Sequence, residues 1–346
     1  MTKRLVFVSY TRLIPTTQIG VFKRCLRLFP HLRDDHEIHL VNLGPPPEKD
    51  ALFLKLRDDF HLHEPCGDLL GDELSRLLEE LAPAALVLGE SPLRGSMRLA
   101  YRVARKMNIR QACIENYYGE FVDDVLPSEW PGVRHWILLG LLPDGVSEVA
   151  PGRLFVVPPF VKFPTSPRPR DRFVILGYDR HTLGMGGHLL RRLPADSMAD
   201  VIVSPEWVPL LDSMGIDERK SGTRVLVLPD DEALYDSLAQ ARLVLGKAGY
   251  QQIVECLAMG TPIVCLLSGG GVDENLVAPY LKPWVRFVAC PKDLDRVLLD
   301  VAGWLLQPAD LPWTDLGRRL GDPISIAAES LRVFASEEPA VAGTGG

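Results

Sequence analysis

The chain has 346 residues, of which 47% are hydrophobic and 24% are charged, and its formal net charge is −7. This length suits two domains with separate cores, and the composition is typical of a globular protein rather than a disordered one. The negative charge argues against a general nucleic-acid-binding protein, because such binding needs a basic surface. No apolar run reaches the ~18 residues of a membrane-spanning helix, and the start MTKRLVFVSY indicates a first strand rather than a signal peptide.

Six cysteines are scattered along the chain, several of them in apolar runs, and no two form a CxxC pair. They are Cys25, Cys66, Cys113, Cys256, Cys265 and Cys290. This pattern predicts a cytoplasmic protein with reduced, mostly buried thiols and no metal site.

Short apolar runs alternate with helical patterns through the first half of the chain. The runs predict strands at 4–9, 37–42, 85–89 and 111–115, a short strand near His61, and helices at 20–29, 52–56, 72–81 and 96–107. In the first helix the spacing turns Phe22 and Cys25 inward and leaves Lys23, Arg24 and Arg27 on the opposite face.

The helix predicted at 96–107 has a basic stripe. Arg98, Arg102 and Arg105 recur at steps of four and three, with few acids to neutralise them. Two interpretations stay open: a solvated helix face, or attraction to an anionic acceptor or a membrane surface.

A proline-rich stretch at 158–169 has the composition of a semi-rigid linker. After it, the pattern predicts a strand at 172–177, a loop at 178–187 containing Gly184, Gly186 and Gly187, and a helix at 188–193. Further strands are predicted at 199–204 and 224–228, with a helix at 233–240. Strand and helix alternate again from 287, a last amphipathic helix covers 324–334, and 339–346 has the composition of a disordered tail.

The stretch LVLGKAGYQQIVECLAMG, residues 243–260, predicts a buried strand, a glycine turn and a helix that ends at Gly260. The next strand, 263–267, completes a βαβ unit, whose first turn favours an anion such as a diphosphate at the helix N-terminus. Glu255 lies about 9 Å along that helix, which suits a sugar hydroxyl better than a phosphate. The alternative is an ordinary crossover in which Glu255 is solvated.

The segment KAGYQQIVECLAMGTPIV resembles the donor site of GT-B glycosyltransferases, most closely the branch with the peptidoglycan N-acetylglucosaminyltransferase and monogalactosyldiacylglycerol synthase. The resemblance continues through SGGGVDEN, residues 268–275. It implies that Gly249 and Gln252 face the nucleotide diphosphate, that Glu255 takes the ribose hydroxyls, and that the following loop holds the transferred sugar. The full set of expected donor-binding residues is Gly177, Gly186, Gly187, His188, Leu228, Pro229, Lys247, Gly249, Gln252, Glu255, Gly271, Asp273, Glu274 and Asn275.

The first strand-to-helix turn departs from this family. TRLIPTTQIG has one glycine and no histidine, where the family has a glycine-rich turn that often includes a catalytic histidine. The expected acceptor-side residues are Arg12, Thr16, Thr17 and Arg94. Glu90, at the end of a predicted central strand, is the first candidate for the base that deprotonates the acceptor. Glu120, Asp123 and Asp124 are alternates.

The residues that read the nucleobase also depart from the resembled uridine-diphosphate enzymes. There, main-chain groups just before an acidic pair bind the pyrimidine edge. The matching segment here is VLPDD, residues 227–231, in which Pro229 has no N–H to donate. This predicts a pyrimidine diphosphate site with weak selectivity between uracil and thymine.

Together these patterns predict an α/β protein of two doubly wound, Rossmann-like domains that face each other across a cleft. The predicted parts are an acceptor-side domain at 1–158, a linker at 159–171, a nucleotide-sugar domain at 172–322, a helix crossing back at 323–336 and a tail at 337–346. The resemblance implies an inverting, metal-independent glycosyltransferase with a nucleotide-sugar co-substrate, no further cofactor, and a small-molecule or lipid acceptor. A catalytically inactive binding or activating subunit and a nucleotide-sugar 2-epimerase are the alternatives.

Overall fold

The computed structural model describes residues 2–11, 20–48, 50–64, 70–92, 95–116, 130–139, 147–150, 154–157, 169–217, 222–227, 231–267, 285–305 and 322–337. Several predicted site residues lie outside these ranges. They are Arg12, Thr16, Thr17, Arg94, Glu120, Asp123, Asp124, Leu228, Pro229, Gly271, Asp273, Glu274 and Asn275. Most of the predicted linker and the tail also lie outside them.

An eight-stranded sheet forms the first half of the chain. Its strands are β1 (Lys3–Ser9), β2 (His36–Asn42), β3 (His61–His63), β4 (Ala85–Leu88), β5 (Gln111–Asn116), β6 (Val133–Leu139), β7 (Ser147–Ala150) and β8 (Leu154–Val157). Their spatial order is β3-β2-β1-β4-β5-β6-β8-β7. All neighbours are parallel except the pair β7–β8. The sequence did not predict the last three strands.

Helices cover both faces of this sheet, as a doubly wound fold requires. They are α1 (Gly20–Leu32), α2 (Ala51–Leu56), α3 (Leu70–Leu81) and α4 (Gly95–Lys106). Successive residues of β1 point to opposite faces. Leu5 and Phe7 pack with α1 and α2 on one face, and Val6 and Val8 pack with α3 and α4 on the other.

A six-stranded parallel sheet forms the second half. Its strands are β9 (Arg172–Gly177), β10 (Met198–Val203), β11 (Thr223–Val227), β12 (Ala241–Lys247), β13 (Ile263–Leu266) and β14 (Arg286–Val288), in the order β11-β10-β9-β12-β13-β14. Its helices are α5 (Arg180–Arg192), α6 (Asp231–Ala239), α7 (Tyr250–Ala258) and α8 (Pro291–Leu305). The helices α5 and α8 pack on one face, and α6 and α7 on the other.

The last helix, α9 (Pro323–Ser336), packs against α1 and the first sheet. Ser330 Oγ lies 2.6 Å from His135 Nε2 on β6, and Lys3 Nζ donates to the Ala335 carbonyl oxygen at 3.2 Å. The helix therefore adds its apolar face to the core of the first half of the chain. Within the described ranges, no helix combines the length and the apolar character needed to cross a membrane.

Both sheets reverse their strand order at one point. In the first sheet β1 lies between β2 and β4, and in the second β9 lies between β10 and β12. Loops leaving the two neighbouring strands turn to opposite faces there, which opens a crevice at the carboxyl ends of the strands. Ligand sites are therefore expected near the residues that follow β1, β4, β9 and β12.

The prediction of a loop at 178–187 is wrong. Helix α5 already begins at Arg180, with the Asp179 side chain accepting a hydrogen bond from the Thr182 backbone N–H at 2.7 Å. Gly186 and Gly187 lie inside the helix, where a Cβ would crowd the Ile175 side chain or collide with the Met214 carbonyl oxygen. These glycines allow the helix to approach its neighbours closely, and they do not form a turn.

Candidate functional site

A cavity of about 200 Å³ lies between the two halves of the chain, at the carboxyl ends of their strands. Tyr10, Lys23, Arg24, Arg27, Glu90 and Asn116 line it from the first half. Tyr178, Lys247, Gly249, Gln251, Gln252 and Glu255 line it from the second half. The predicted residues Glu90, Lys247, Gly249, Gln252 and Glu255 are thereby brought to one place.

The N-terminus of α7 forms one wall of the cavity. Gly249 is the N-cap residue, with extended backbone angles of φ −96° and ψ 131°, and no side chain caps the helix. Because no side chain neutralises this helix end, its partial positive charge favours an anion here. Lys247, the last residue of β12, adds a positive charge beside this end.

Gln252 lies in the first turn of the same helix. Its Oε1 atom is buried and has no hydrogen-bond partner among the described residues. A Cβ at Gly246 would lie 3.1 Å from that oxygen, so the glycine leaves room for this amide. A buried polar atom without a hydrogen-bond partner destabilises the folded protein, and a hydrogen-bond donor on a ligand would remove this cost.

Glu255 lies one turn further along α7 and is only 5% exposed, so it is not on a solvated helix face. Its Oε1 accepts a hydrogen bond from Gln251 Nε2 at 2.9 Å and from the Tyr235 hydroxyl at 3.5 Å. Arg27 Nη2, from the other half of the chain, lies 3.5 Å from the same oxygen. The carboxylate is thus buried, hydrogen-bonded and paired with a charge across the cleft.

The first helix contributes arginines that the sequence placed on the wrong side. Arg24 and Arg27 are 5% and 9% exposed, although the helical pattern assigned them to the face opposite the core. Arg24 donates to the carbonyl oxygens of Gly89 at 2.9 Å and Ile114 at 3.2 Å, and to Asn116 Oδ1 at 2.8 Å. The arginine side of α1 faces the cavity. The i, i+3 spacing of these arginines is typical of a solvated helix face, so the sequence alone did not indicate this.

Glu90 follows β4 and lines the cavity, where it is 6% exposed. Neighbouring Glu115 accepts two backbone hydrogen bonds, one from the residue after Glu90 and one from the residue after itself. Glu115 Oε2 accepts from the Ser91 N–H at 2.9 Å, and Oε1 accepts from the Asn116 N–H at 2.7 Å. The sequence singled out neither Glu115 nor Asn116, whose contacts hold the ends of β4 and β5 together.

Four predicted donor residues lie elsewhere. Gly186 and Gly187 are buried within α5, and His188 bonds through Nε2 to Asp295 Oδ1 at 2.9 Å on α8. Gly177 ends β9, where a Cβ would collide with the Leu183 side chain. None of these four residues lines the cavity, so the structure gives the predicted second half of a phosphate cradle no support.

The thiols near the site are buried. Burial raises the pKa of Cys25 to about 12, although Arg24 acts to lower it. The pKa of Cys113 is also raised, first by burial and then by Glu115. All five cysteines in the described ranges are free, and these two stay protonated and unreactive at neutral pH.

The basic stripe on α4 is compatible with both interpretations, a solvated helix face or a surface that attracts an anion or a membrane. Arg98, Arg102 and Arg105 are exposed. The Arg98 guanidinium lies 5.6 Å from the centre of the Trp130 ring, and Arg105 Nη1 donates to the Tyr101 hydroxyl at 3.4 Å. Both contacts are within the first half of the chain, and both leave a positive surface.

Solved structures with the same architecture identify the fold. MurG from Acinetobacter baumannii has a TM-score of 0.60 at 13% identity, over 95% of this chain and 99% of that chain. The chain has the GT-B fold. The spinosyn rhamnosyltransferase SpnG complexed with thymidine diphosphate has a TM-score of 0.57 at 16% identity, over 96% of this chain and 99% of that chain.

Another GT-B neighbour has a different activity in its description. A Listeria monocytogenes protein assigned as a UDP-N-acetylglucosamine 2-epimerase has a TM-score of 0.58 at 11% identity, over 96% of this chain and 95% of that chain. No protein-family profile matches the sequence, and no curated protein is significantly similar to it. The predicted fold, two Rossmann-like domains facing a cleft, is confirmed, and the reaction has to be argued from the site.

Proposed function

We propose that this GT-B chain is a glycosyltransferase that moves a sugar from a nucleoside diphosphate to a hydroxyl acceptor. One observation supports this most strongly. A single cavity has an uncapped helix N-terminus at Gly249 on one wall and the buried carboxylate of Glu90 on the opposite wall. The first group suits a departing diphosphate, and the second suits a base for the acceptor.

On the donor side, the N–H groups at the start of α7 and the Lys247 ammonium stabilise the negative charge that develops on the diphosphate. Fixed dipoles of this kind need no reorganisation during the reaction, and they act without a metal ion. Glu255, one turn further along α7, is the residue we propose for the ribose hydroxyls, the role that the resemblance assigns to it. The two contacts together select a nucleotide rather than free phosphate.

On the acceptor side, Glu90 takes the proton from the attacking hydroxyl. Glu90 lines the cavity from the first half of the chain and the start of α7 lines it from the second half, and we propose that the acceptor approaches from the Glu90 side, opposite the leaving group. Such an attack inverts the anomeric centre in one displacement. The acceptor is a small molecule or a lipid, and the basic stripe on α4 is the surface proposed for an anionic one.

The nucleobase is proposed to be a pyrimidine. SpnG, a GT-B neighbour, is described with thymidine diphosphate bound, which accords with this choice. Pro229 has no N–H for the base, so one hydrogen bond of the uridine enzymes is missing. We expect competition binding to show a preference of less than about tenfold between uridine and thymidine diphosphates, the scale of one hydrogen bond. A preference for a purine would contradict the assignment.

The decisive test is Glu90→Gln, which removes the base and keeps the size of the side chain. Turnover would be measured as nucleoside diphosphate released from a panel of uridine and thymidine diphosphate sugars with hydroxyl acceptors. We expect a loss on the order of 10²–10⁴ in rate with unchanged uridine diphosphate affinity by calorimetry. Glu79→Gln, at an exposed position of α3, is the matched control and should keep full rate. Full turnover by Glu90→Gln would move the base elsewhere.

An inactive binding subunit is the second candidate. The observation that favours it is the ion pair between Arg27 and Glu255, which joins the two halves of the chain. This pair engages the carboxylate that the proposed transferase uses to bind the ribose. In that case uridine diphosphate binds and no donor and acceptor pair gives turnover. The epimerase alternative predicts a third result, an altered nucleotide sugar formed without any acceptor.

A further inference from the structure

Three histidines and a glutamate meet at the edge of the first sheet, away from the cavity. Glu37 and His39 lie on β2, and His61 and His63 lie on the edge strand β3. The strands are parallel, with His39 opposite His61 and Val41 opposite His63. Residues two apart on a strand point to the same face. The register therefore places all four side chains on one face of the sheet.

The donor atoms of three of these side chains are close enough to share one ion. Glu37 Oε1 lies 3.2 Å from His39 Nε2 and 3.7 Å from His61 Nε2. One ligand atom from each of Glu37, His39 and His61 lies within 4.8 Å of the others. A tetrahedral zinc site with bonds of about 2.0–2.1 Å has ligand atoms about 3.3 Å apart, so small side-chain rotations complete the geometry.

The neighbours of this group orient the ligands. His63 Nε2 lies 3.0 Å from His39 Nδ1, which directs the other ring nitrogen of His39 toward Glu37. Arg4 Nε donates to Glu37 Oε2 at 2.9 Å, which fixes the carboxylate and leaves Oε1 toward the imidazoles. Hydrogen bonds of this kind, here to the far sides of His39 and Glu37, are typical of metal sites in proteins.

We propose that Glu37, His39 and His61 form a binding site for a divalent transition metal ion, with Zn²⁺ as the best match. Two imidazoles and one carboxylate suit zinc, and they do not suit calcium or magnesium, which prefer oxygen ligands only. A water molecule supplies the fourth position. The sequence-based expectation of no metal site rested on the cysteines and overlooked the ExH and HxH spacing of Glu37-Ile38-His39 and His61-Leu62-His63.

The site has a structural consequence rather than a catalytic one. None of its residues lines the cavity. The strand β3 has only three residues and lies at the edge of the sheet, where it pairs with β2. An ion bound between His39 and His61 links the two strands through their side chains. We expect bound metal to stabilise the folded protein, because the unfolded chain does not assemble the ligands.

Zinc titration of the chelator-treated full chain tests the proposal, by calorimetry and by the midpoint of thermal unfolding. We expect one tight site per chain and a rise of the unfolding midpoint with zinc. His61→Ala and Glu37→Gln should each weaken zinc at least tenfold and remove the rise. The His61 side chain is 63% exposed, so its removal leaves the fold intact, which circular dichroism would verify.

His181→Ala is the matched control, since His181 is exposed on α5, far along the chain from this group. It should bind zinc as the wild type does. Absence of a tight zinc site in the wild type would overturn the proposal. So would zinc affinity within about threefold of the wild type in either His61→Ala or Glu37→Gln, because the ion would then be bound elsewhere.

Discussion

Two helices of the second sheet begin beside the same cleft, and their first residues differ in one chemical respect. Helix α5 is capped by Asp179, whose carboxylate accepts the Thr182 N–H at 2.7 Å. Helix α7 is capped by Gly249, which has no side chain to offer. Both follow adjacent strands of the sheet, β9 and β12, at the point where the strand order reverses.

This difference decides which helix can bind an anion. A carboxylate at the N-cap satisfies a free N–H and neutralises the positive end of the helix, so α5 already has its anion. A glycine cap leaves the same groups of α7 for a ligand. The number of glycines does not determine which helix can bind an anion, because α5 contains three glycines and still has a carboxylate at its N-cap. The proposed function therefore has the diphosphate bind at the start of α7.

Giving α7 the cap of α5 should have the largest effect. Gly249→Asp places a carboxylate where the diphosphate binds, and charge repulsion in a poorly solvated site should weaken uridine diphosphate on the order of a hundredfold. The backbone angles at Gly249 suit any residue, and a Cβ there meets Lys247 Cε at 3.7 Å, an ordinary contact. The same change should stabilise the fold by only about a few tenths of a kcal/mol, because glycine is already a tolerated N-cap residue.

Gly249→Ala is the control for this prediction, since it adds the Cβ without the charge. We expect its affinity for uridine diphosphate to stay within about threefold of the wild type by calorimetry. If Gly249→Asp also binds like the wild type, the open end of α7 is not the diphosphate site.

The second prediction concerns the carboxylate one turn into α7. Glu255→Ala should weaken uridine diphosphate by roughly ten- to a hundredfold, because a charge-assisted hydrogen bond of about 1.5–3 kcal/mol to the ribose is lost. Calorimetry with inorganic diphosphate separates the two parts of the site. The affinity of inorganic diphosphate, which has no ribose, should change far less. An equal loss for both ligands would show that Glu255 acts through its pair with Arg27 and not on the ribose.

The smallest effect is expected at the other helix. Asp179→Ala removes the cap of α5 and should lower the free energy of unfolding by about 1 kcal/mol in urea denaturation. Its affinity for uridine diphosphate should not change. A clear loss of affinity would return α5, with Gly186, Gly187 and His188, to the donor site.

The sequence predicted the sheets better than the surfaces between them. The strand at 172–177 and the unit that contains α7 were predicted within a few residues, because buried parallel strands are continuous apolar runs with glycine or proline at their ends. The helix at 180–187 was predicted to be a loop, because a glycine-rich run looks the same in the sequence whether it forms a turn or a tightly packed helix. Only the position of Met214 against Gly187 distinguishes the two, and that contact is distant in sequence.

The residues that line the cavity were likewise only partly predictable from the sequence. Glu90 was singled out because it ends a recognisable strand, and Glu255 because it lies in a recognisable βαβ unit; both line the cavity. Arg24 and Arg27 were assigned to the face opposite the core because helical periodicity assumes one buried face. In the structure Arg24 binds the ends of the first sheet, and Arg27 pairs with Glu255 of the second half of the chain. Contacts between domains leave no periodic signal in a single sequence.

The crystal structure of the complex with uridine diphosphate is the most direct test of the account. We expect the phosphate oxygens at hydrogen-bond distance, about 2.7–3.2 Å, from the N–H groups of Tyr250 and Gln251, and the ribose hydroxyls at the Glu255 carboxylate. A diphosphate bound at the start of α5, or anywhere outside the cavity between the two halves, would contradict the assignment of α7 as the donor site.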